Sequence, residues 1–261
     1  MSNDSAASAS DSAASFQSVD RAITALEHLA RTGEAGVTEV AAAIGVHKST
    51  ASRLLVALQG RELVEATGDR GRYRLGVGVL RLAAAVGGRL DLASQGASVC
   101  AALAAELGET VNLAIRQGEV AVNIHQSEGG GAVTVDSWVG RPTPLHATSS
   151  GKVLLAYAPE SILATLGPEL RTYTDHTITD PAVLRGQLDR VREIGYATTE
   201  GELEVGLNAV AAPVRDAGGG VIAALSVSGP VYRLTADRLP GTAAAAREAA
   251  DVVSARLGYR G

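Results

Sequence analysis

The sequence predicts a two-domain α+β protein: an N-terminal winged helix-turn-helix, a linker helix and a C-terminal domain of mixed α and β structure. Three observations predict it. Residues 37–58, VTEVAAAIGVHKSTASRLLVAL, have helix-turn-helix spacing. Two short strand-like stretches separated by turn residues follow directly. Beyond residue 93 the hydrophobic pattern alternates between helical and strand periods.

In chain order, residues 1–16 are rich in Ser, Ala and Asp and lack hydrophobic periodicity, which predicts a disordered tail. The winged domain is expected over residues 17–76. Val19, Ala22, Ile23, Leu26 and Leu29 recur at helical spacing and supply its first helix. Ala41 falls where the two motif helices cross and only a small side chain fits. Gly45 falls four residues later, where the turn favours a residue that tolerates positive φ. Val46, Ala51 and Leu54 are expected on the buried side of the second helix, leaving His47, Lys48, Ser49, Thr50, Ser52 and Arg53 outward, with Thr38 at the start of the helix before it. Side chains of these types hydrogen-bond base edges and phosphates in a major groove. From Val46 to Arg61 there are three basic residues and no acid, in a chain of net charge −5. Such a local positive surface suits a nucleic acid. Leu63–Thr67 and Arg72–Leu75, joined across Gly68-Asp69-Arg70-Gly71, read as a wing that places Arg70, Arg72 and Arg74 near phosphates.

Residues 77–92 are apolar on several sides, with only Arg81, Arg89 and Asp91 charged. They predict a linker helix that needs a partner on more than one face, bent at Gly87-Gly88. The second domain is expected over residues 93–261. Its helices are predicted over 93–107, 149–158, 181–194 and 236–257. Its strands are predicted over 110–116, 120–125, 132–138, 209–215 and 221–228.

Composition narrows the function classes. With 261 residues and 46% hydrophobic content the chain can bury real cores, but at 3% aromatic they must be built from Ala, Val, Leu and Ile. No apolar run approaches the roughly 18 residues of a membrane span, and the N-terminus lacks a secretory pattern, so a cytoplasmic protein is expected. A single cysteine, Cys100, excludes an internal disulfide and a Cys-cluster zinc site. Its apolar neighbours predict a buried thiol. No cofactor is expected.

In the second domain, PLHATSSGK (Pro144–Lys152) runs from an irregular stretch into a helix. Thr148 or Ser149 can cap that helix, leaving backbone N–H groups at Ser149, Ser150 and Gly151. A helix N-terminus is a ready anion site because dipole and donors point the same way. Ser226 and Ser228 lie at i and i+2 on a predicted strand, so both hydroxyls point to one face.

The sequence resembles the IclR family of bacterial transcriptional regulators from about Ser18 to Arg233. The resemblance rests on SVDRAITALEHL, the helix-turn-helix and RYRLGVGVLRL, then on ELGETVNLAI, VGRPTPLHATSSGKVLLA, REIGYATTEGELEVGLNAVAAPV and AALSVSGP with Arg233. It implies a winged helix, a linker helix and a GAF/PAS-like effector-binding domain, in a DNA-binding homodimer that commonly assembles into homotetramers. By the same resemblance, Ser149 and Ser150 match positions whose backbone N–H groups hold small carboxylates, and Ser226 and Ser228 match hydroxyls on the same ligand. The carboxylate-binding members have Asp where Thr199 stands and Cys where Ala209 stands. These two departures imply a wider, less acidic pocket, with Glu200, Glu202 and Asn208 as candidate replacement polarity.

Other chemistries fit less well. Gly151-Lys152 looks like part of a P-loop, but Val153 replaces the required Ser/Thr and His146 the first glycine. His146 near Ser149 or Ser150 lacks a nucleophile elbow and a third member, which argues against catalysis. His125, His146 and His176 share no metal-ligand spacing. The expectation is therefore a regulator of a catabolic or metabolic operon, a repressor rather than an enzyme, whose operator binding is modulated by a small organic metabolite. Its competitors are an enzyme carrying a vestigial winged helix and a protein-interaction module that does not bind DNA.

Overall fold

A computed structural model of the chain describes residues 4–68, 71–84, 88–130 and 137–261. The chain divides into two compact units, Met1–Gly87 and Gly88–Gly261.

In the first unit α1 spans Asp4–Thr32. The helix therefore begins well before Gln17, where the sequence reading has a disordered tail. Ala6, Ala7, Ala9, Ala13 and Ala14 supply the strongest helix-forming residue through that stretch, and nothing there breaks the helix. A short strand, β1 (Ala35–Gly36), leads into α2 (Val37–Ala43) and α3 (Lys48–Gln59). Ala41 is 5% exposed and Gly45 adopts φ +65, as crossing point and turn require. The seam of α3 is Ala51, Leu55 and Leu58, while Val46 and Leu54 are only half-buried. Spacing of i, i+4, i+7 places these three on one stripe. On α1 the buried stripe is Ala25 and Leu29, whereas Val19 and Ile23, expected in the core, stand 54% and 49% exposed. The wing forms as an antiparallel pair, β2 (Val64–Thr67) and β3 (Arg72–Leu75), with β1 adding to β3.

The expected linker helix is divided. α4 (Val77–Ala84) closes the first unit and α5 (Gly88–Leu107) opens the second, taking in residues 88–92. Gly87 lies outside the described residues. α4 keeps Val77, Leu80 and Leu82 more than half exposed.

The second unit is built on one antiparallel six-stranded sheet in the order β6-β5-β4-β9-β8-β7. Its strands are β4 (Thr110–Gln117), β5 (Val120–Ser127), β6 (Pro142–Pro144), β7 (Ala197–Glu200), β8 (Leu207–Arg215) and β9 (Val221–Pro230). The predicted strand over 132–138 falls mostly outside the described residues. The edge is instead β6, whose two prolines hide it from a sequence reading but are tolerated at an edge. Alternation of side chains divides the sheet cleanly. Val111, Leu113 and Ile115 of β4 and Ala223, Leu225 and Val227 of β9 pack with α5 and with α9 (Leu239–Arg256). Cys100 belongs to this core, and burial pushes its thiol up to about 11. The opposite face packs Ala211 and Ala224 against α6 (Ser149–Ala156) and α8 (Pro181–Ile194), with α7 (Glu160–Thr165) between them in sequence. The result is a helix–sheet–helix domain of GAF/PAS-like architecture.

Candidate functional site

The first candidate surface is α3. Lys48, Ser49 and Arg53 are exposed, and Ser52 and Thr50 are half-buried, with Thr38 exposed at the start of α2. His47 is not a free reader: it caps α3, its Nδ1 standing 3.1 Å from the Ser49 hydroxyl and 3.5 Å from the Ser49 N–H. Arg70 lies outside the described residues. Arg72 is spoken for within the domain. Its Nε stands 2.9 Å from a Glu34 carboxylate oxygen, an ion pair rather than a directed hydrogen bond, and Glu39 lies 3.7 Å from its Nη1. Arg74 pairs with Glu65 at 2.5 Å. Carboxylates thus offset two of the three wing arginines, while Lys48 and Arg53 have no ion pair among the described residues.

The second candidate is a cavity of about 70 Å³ between the sheet and the N-terminus of α6. Ser149, Ser150, Thr199, Ala209, Ser226 and Ser228, scattered over 80 positions of sequence, all line it. Strand register explains the meeting. Ser228 on β9 lies opposite Ala209 on β8, which lies opposite Thr199 on β7. Thr148 caps α6, its hydroxyl accepting the Gly151 N–H at 3.1 Å and donating to the Pro144 carbonyl at 2.9 Å. Among the described residues that leaves the first-turn N–H groups of Ser149 and Ser150 without a backbone partner, the anion-binding arrangement of a helix start.

Gly151 allows α6 to sit so close. A Cβ there would lie 2.3 Å from the Leu145 carbonyl oxygen and 2.6 Å from the Leu145 Cα. Behind the site Lys152 is buried, 1% exposed, with its Nζ donating to both carboxylate oxygens of Glu202 at 2.5 and 2.7 Å. Burial pulls the Lys152 ammonium below its ordinary range and pushes the Glu202 carboxyl above its own, and mutual attraction opposes both. Thr174 and Thr177 donate to the carbonyls of Gly201 and Glu202 at 2.7 and 2.6 Å. Together these contacts fix the segment that carries Leu203 and Glu204 to the cavity wall.

The candidate replacement polarity is corrected here. Glu202 is the partner of Lys152 rather than cavity polarity. Glu200 is an exposed surface charge, and Asn208 spends its amide on the Leu234 carbonyl; none of the three lines the cavity. Trp138, Leu203 and Leu207 form the apolar sides of the cavity. Sequence reasoning also missed Asn112, Asn123 and Thr143, which line it as well. For the two asparagines a signal existed: a polar residue at an inward position of a strand, flanked by core residues.

His146 is also buried, its Nε2 donating to the Arg171 carbonyl at 2.9 Å, and burial lowers its pKa from the usual histidine value. The folded state then binds fewer protons than the unfolded one near that value. Stability is full above a pH of about 6.5 and falls as pH drops below it. Chemical denaturation at pH 7.5 and 5.5 checks this: His146→Gln should flatten the loss.

A winged helix-turn-helix domain with an exposed basic helix α3, joined in one chain to a domain whose cavity is lined by serine and threonine side chains, defines a DNA-binding regulator of transcription. Comparison with known proteins agrees. Residues 18–68 match the IclR helix-turn-helix domain and residues 84–255 the bacterial transcriptional regulator IclR C-terminal model, so the chain belongs to the IclR family of bacterial transcriptional regulators, which are not enzymes. It is 35% identical over 247 residues to the HTH-type transcriptional repressor AllR of Salmonella typhi and to that of Escherichia coli K12, covering 94% of this chain and 91% of each relative. Among solved structures it is similar to Thermotoga maritima IclR, at 29% identity and TM-score 0.76 over 94% of this chain and 100% of that one. It is also similar to an IclR homologue of Microbacterium hydrocarbonoxydans complexed with 4-hydroxybenzoate, at 26% identity and TM-score 0.73 over 93% and 98%. Among the described residues no helix is long and apolar enough to cross a membrane.

Proposed function

We propose that the protein is a cytoplasmic, effector-responsive repressor of a metabolic operon. The observation that carries this reading is the convergence of Ser149, Ser150, Thr199, Ala209, Ser226 and Ser228 on one cavity closed by a helix N-terminus. Lys48, Ser49, Ser52 and Arg53 of α3 enter the major groove, with Thr38, His47 and Thr50 at its margin. Arg70 reaches the backbone, and Arg72 does so only by exchanging Glu34 for phosphate. The relatives named as repressors support the sign of regulation. A small metabolite acts by binding one arrangement of the domains more tightly than the other.

Winged-helix pairs read two half-sites, so a homodimer is the working unit. The outward apolar side chains of α1 (Val19, Ile23) and α4 (Val77, Leu80, Leu82) supply a surface for it, and a homotetramer is the next assembly to look for by light scattering.

Arg53→Ala tests the DNA end. Losing one cation on α3 should weaken binding to an operator fragment by about ten- to a hundredfold and flatten the salt dependence. Affinity that is unchanged in a gel-shift titration, or independent of salt, overturns the assignment and favours a protein-docking role instead.

A further inference from the structure

We propose that Val56 is a base-reading residue of α3, and that its side chain packs against the 5-methyl group of a thymine in each operator half-site. The inference rests on the reading of α3 as the helix that enters the major groove.

The outward face of α3 carries one large apolar side chain. Ala51, Leu55 and Leu58 bury the opposite stripe. Spacing of i, i+4 and i+7 aligns Ser49, Arg53 and Val56 on the side that faces away from this core. All three are exposed, Val56 at 59%. The other large apolar side chains that the first unit exposes among the described residues are Val19, Ile23, Val77, Leu80 and Leu82, and they belong to α1 and α4. Val56 instead shares its stripe with the serine and arginine that face DNA. A β-branched residue forms helix less readily than alanine, so at an exposed position it serves neither the helix nor the core.

Groove chemistry supplies the partner. Base-pair edges in the major groove present hydrogen-bond donors and acceptors, and one apolar group, the thymine methyl. Valine can neither donate nor accept, so against any other base it would only take a polar edge out of water. Ser49 can do both and discriminates little, whereas Arg53 has the fork that suits the paired acceptors of a guanine. Arg53 and Val56 are separated by about 4.5 Å along the helix axis, close to the roughly 3.4 Å of one base-pair step. The thymine therefore lies within about two base pairs of the base that Arg53 meets.

Deoxyuridine in place of thymine tests this, because it removes the methyl and leaves base pairing unchanged. A duplex pool randomised over its central base pairs is enriched with the full-length protein, and each thymine of the enriched duplex is then replaced in turn. In fluorescence anisotropy titrations, losing the methyl of one thymine per half-site should weaken wild-type binding about three- to fivefold, the worth of burying one methyl group. That penalty should be the same at about 50 and about 200 mM salt, since a methyl contact releases no counterions. Val56→Ala withdraws both γ-methyls. It should bind the thymine duplex about tenfold more weakly, two half-sites losing the contact together, and deoxyuridine there should cost it less than about twofold. Its melting temperature should hold or rise. An enriched site with no thymine whose methyl matters, or a penalty that survives Val56→Ala, overturns the role of Val56 and leaves α3 as the DNA-reading helix. A pool in which no sequence is enriched overturns base reading by Val56 as well. Binding that is also independent of salt would remove the DNA reading itself, a result separate from the fate of Val56.

Discussion

Glu202→Gln is expected to lower the stability of the C-terminal domain by about 3–5 kcal/mol, on the order of 10 °C in melting temperature. The size follows from what remains. Lys152 is 1% exposed, and both oxygens that its ammonium meets belong to Glu202. Removing that carboxylate strands a charge where water cannot follow. Because burial already holds the Lys152 pKa below its ordinary value, the variant should recover part of its stability as pH rises and the amine becomes neutral. Replacing both partners, Lys152→Met with Glu202→Leu, should restore most of the loss, since a buried pair contributes little net energy over an apolar one. Thermal melts of the wild type and the two variants at pH 7 and pH 9 check the set. A single variant as stable as the wild type would mean that the pair is not isolated from solvent.

Gly151→Ala is the second large effect, and it separates the two ends of the protein. The added Cβ meets backbone, the Leu145 carbonyl oxygen and Cα, which cannot step aside as a side chain tip would. α6 must shift outward, carrying the Ser149 and Ser150 N–H groups with it. An overpacked site of this kind costs about 1–3 kcal/mol, and the geometry of the anion site goes with it. Affinity for a small carboxylate probe should fall at least tenfold by calorimetry. Operator binding without ligand should persist, because the winged helix has a separate core. Loss of DNA binding in a folded variant would contradict this separation.

Much of the fold was legible because short-range rules govern it. The winged helix is local: Ala41, Gly45 and the α3 stripe act within 20 residues, and the periods of the long strands and of α8 stand out without tertiary knowledge. Two strands of the second sheet were hidden for physical reasons. β6 is three residues with a proline at each end, and β7 (ATTE) carries too little apolar signal to announce a strand. The outward turn of Val19 and Ile23 was also illegible, since an apolar residue on a helix does not say whether its partner is its own core or another surface.

The candidate site divides along the same line. The sequence by itself determined the winged helix, a helix start at Thr148 or Ser149, and the one-face placement of Ser226 and Ser228, because each depends on neighbours a few residues away. Only the tertiary structure decided that Arg72 answers Glu34 and Glu39, that Glu202 belongs to Lys152 rather than to a ligand, and that Asn112 stands opposite Ser226. Those are pairings across 33 to 114 residues of chain. Strand register and burial set them, and no spacing along the sequence records either.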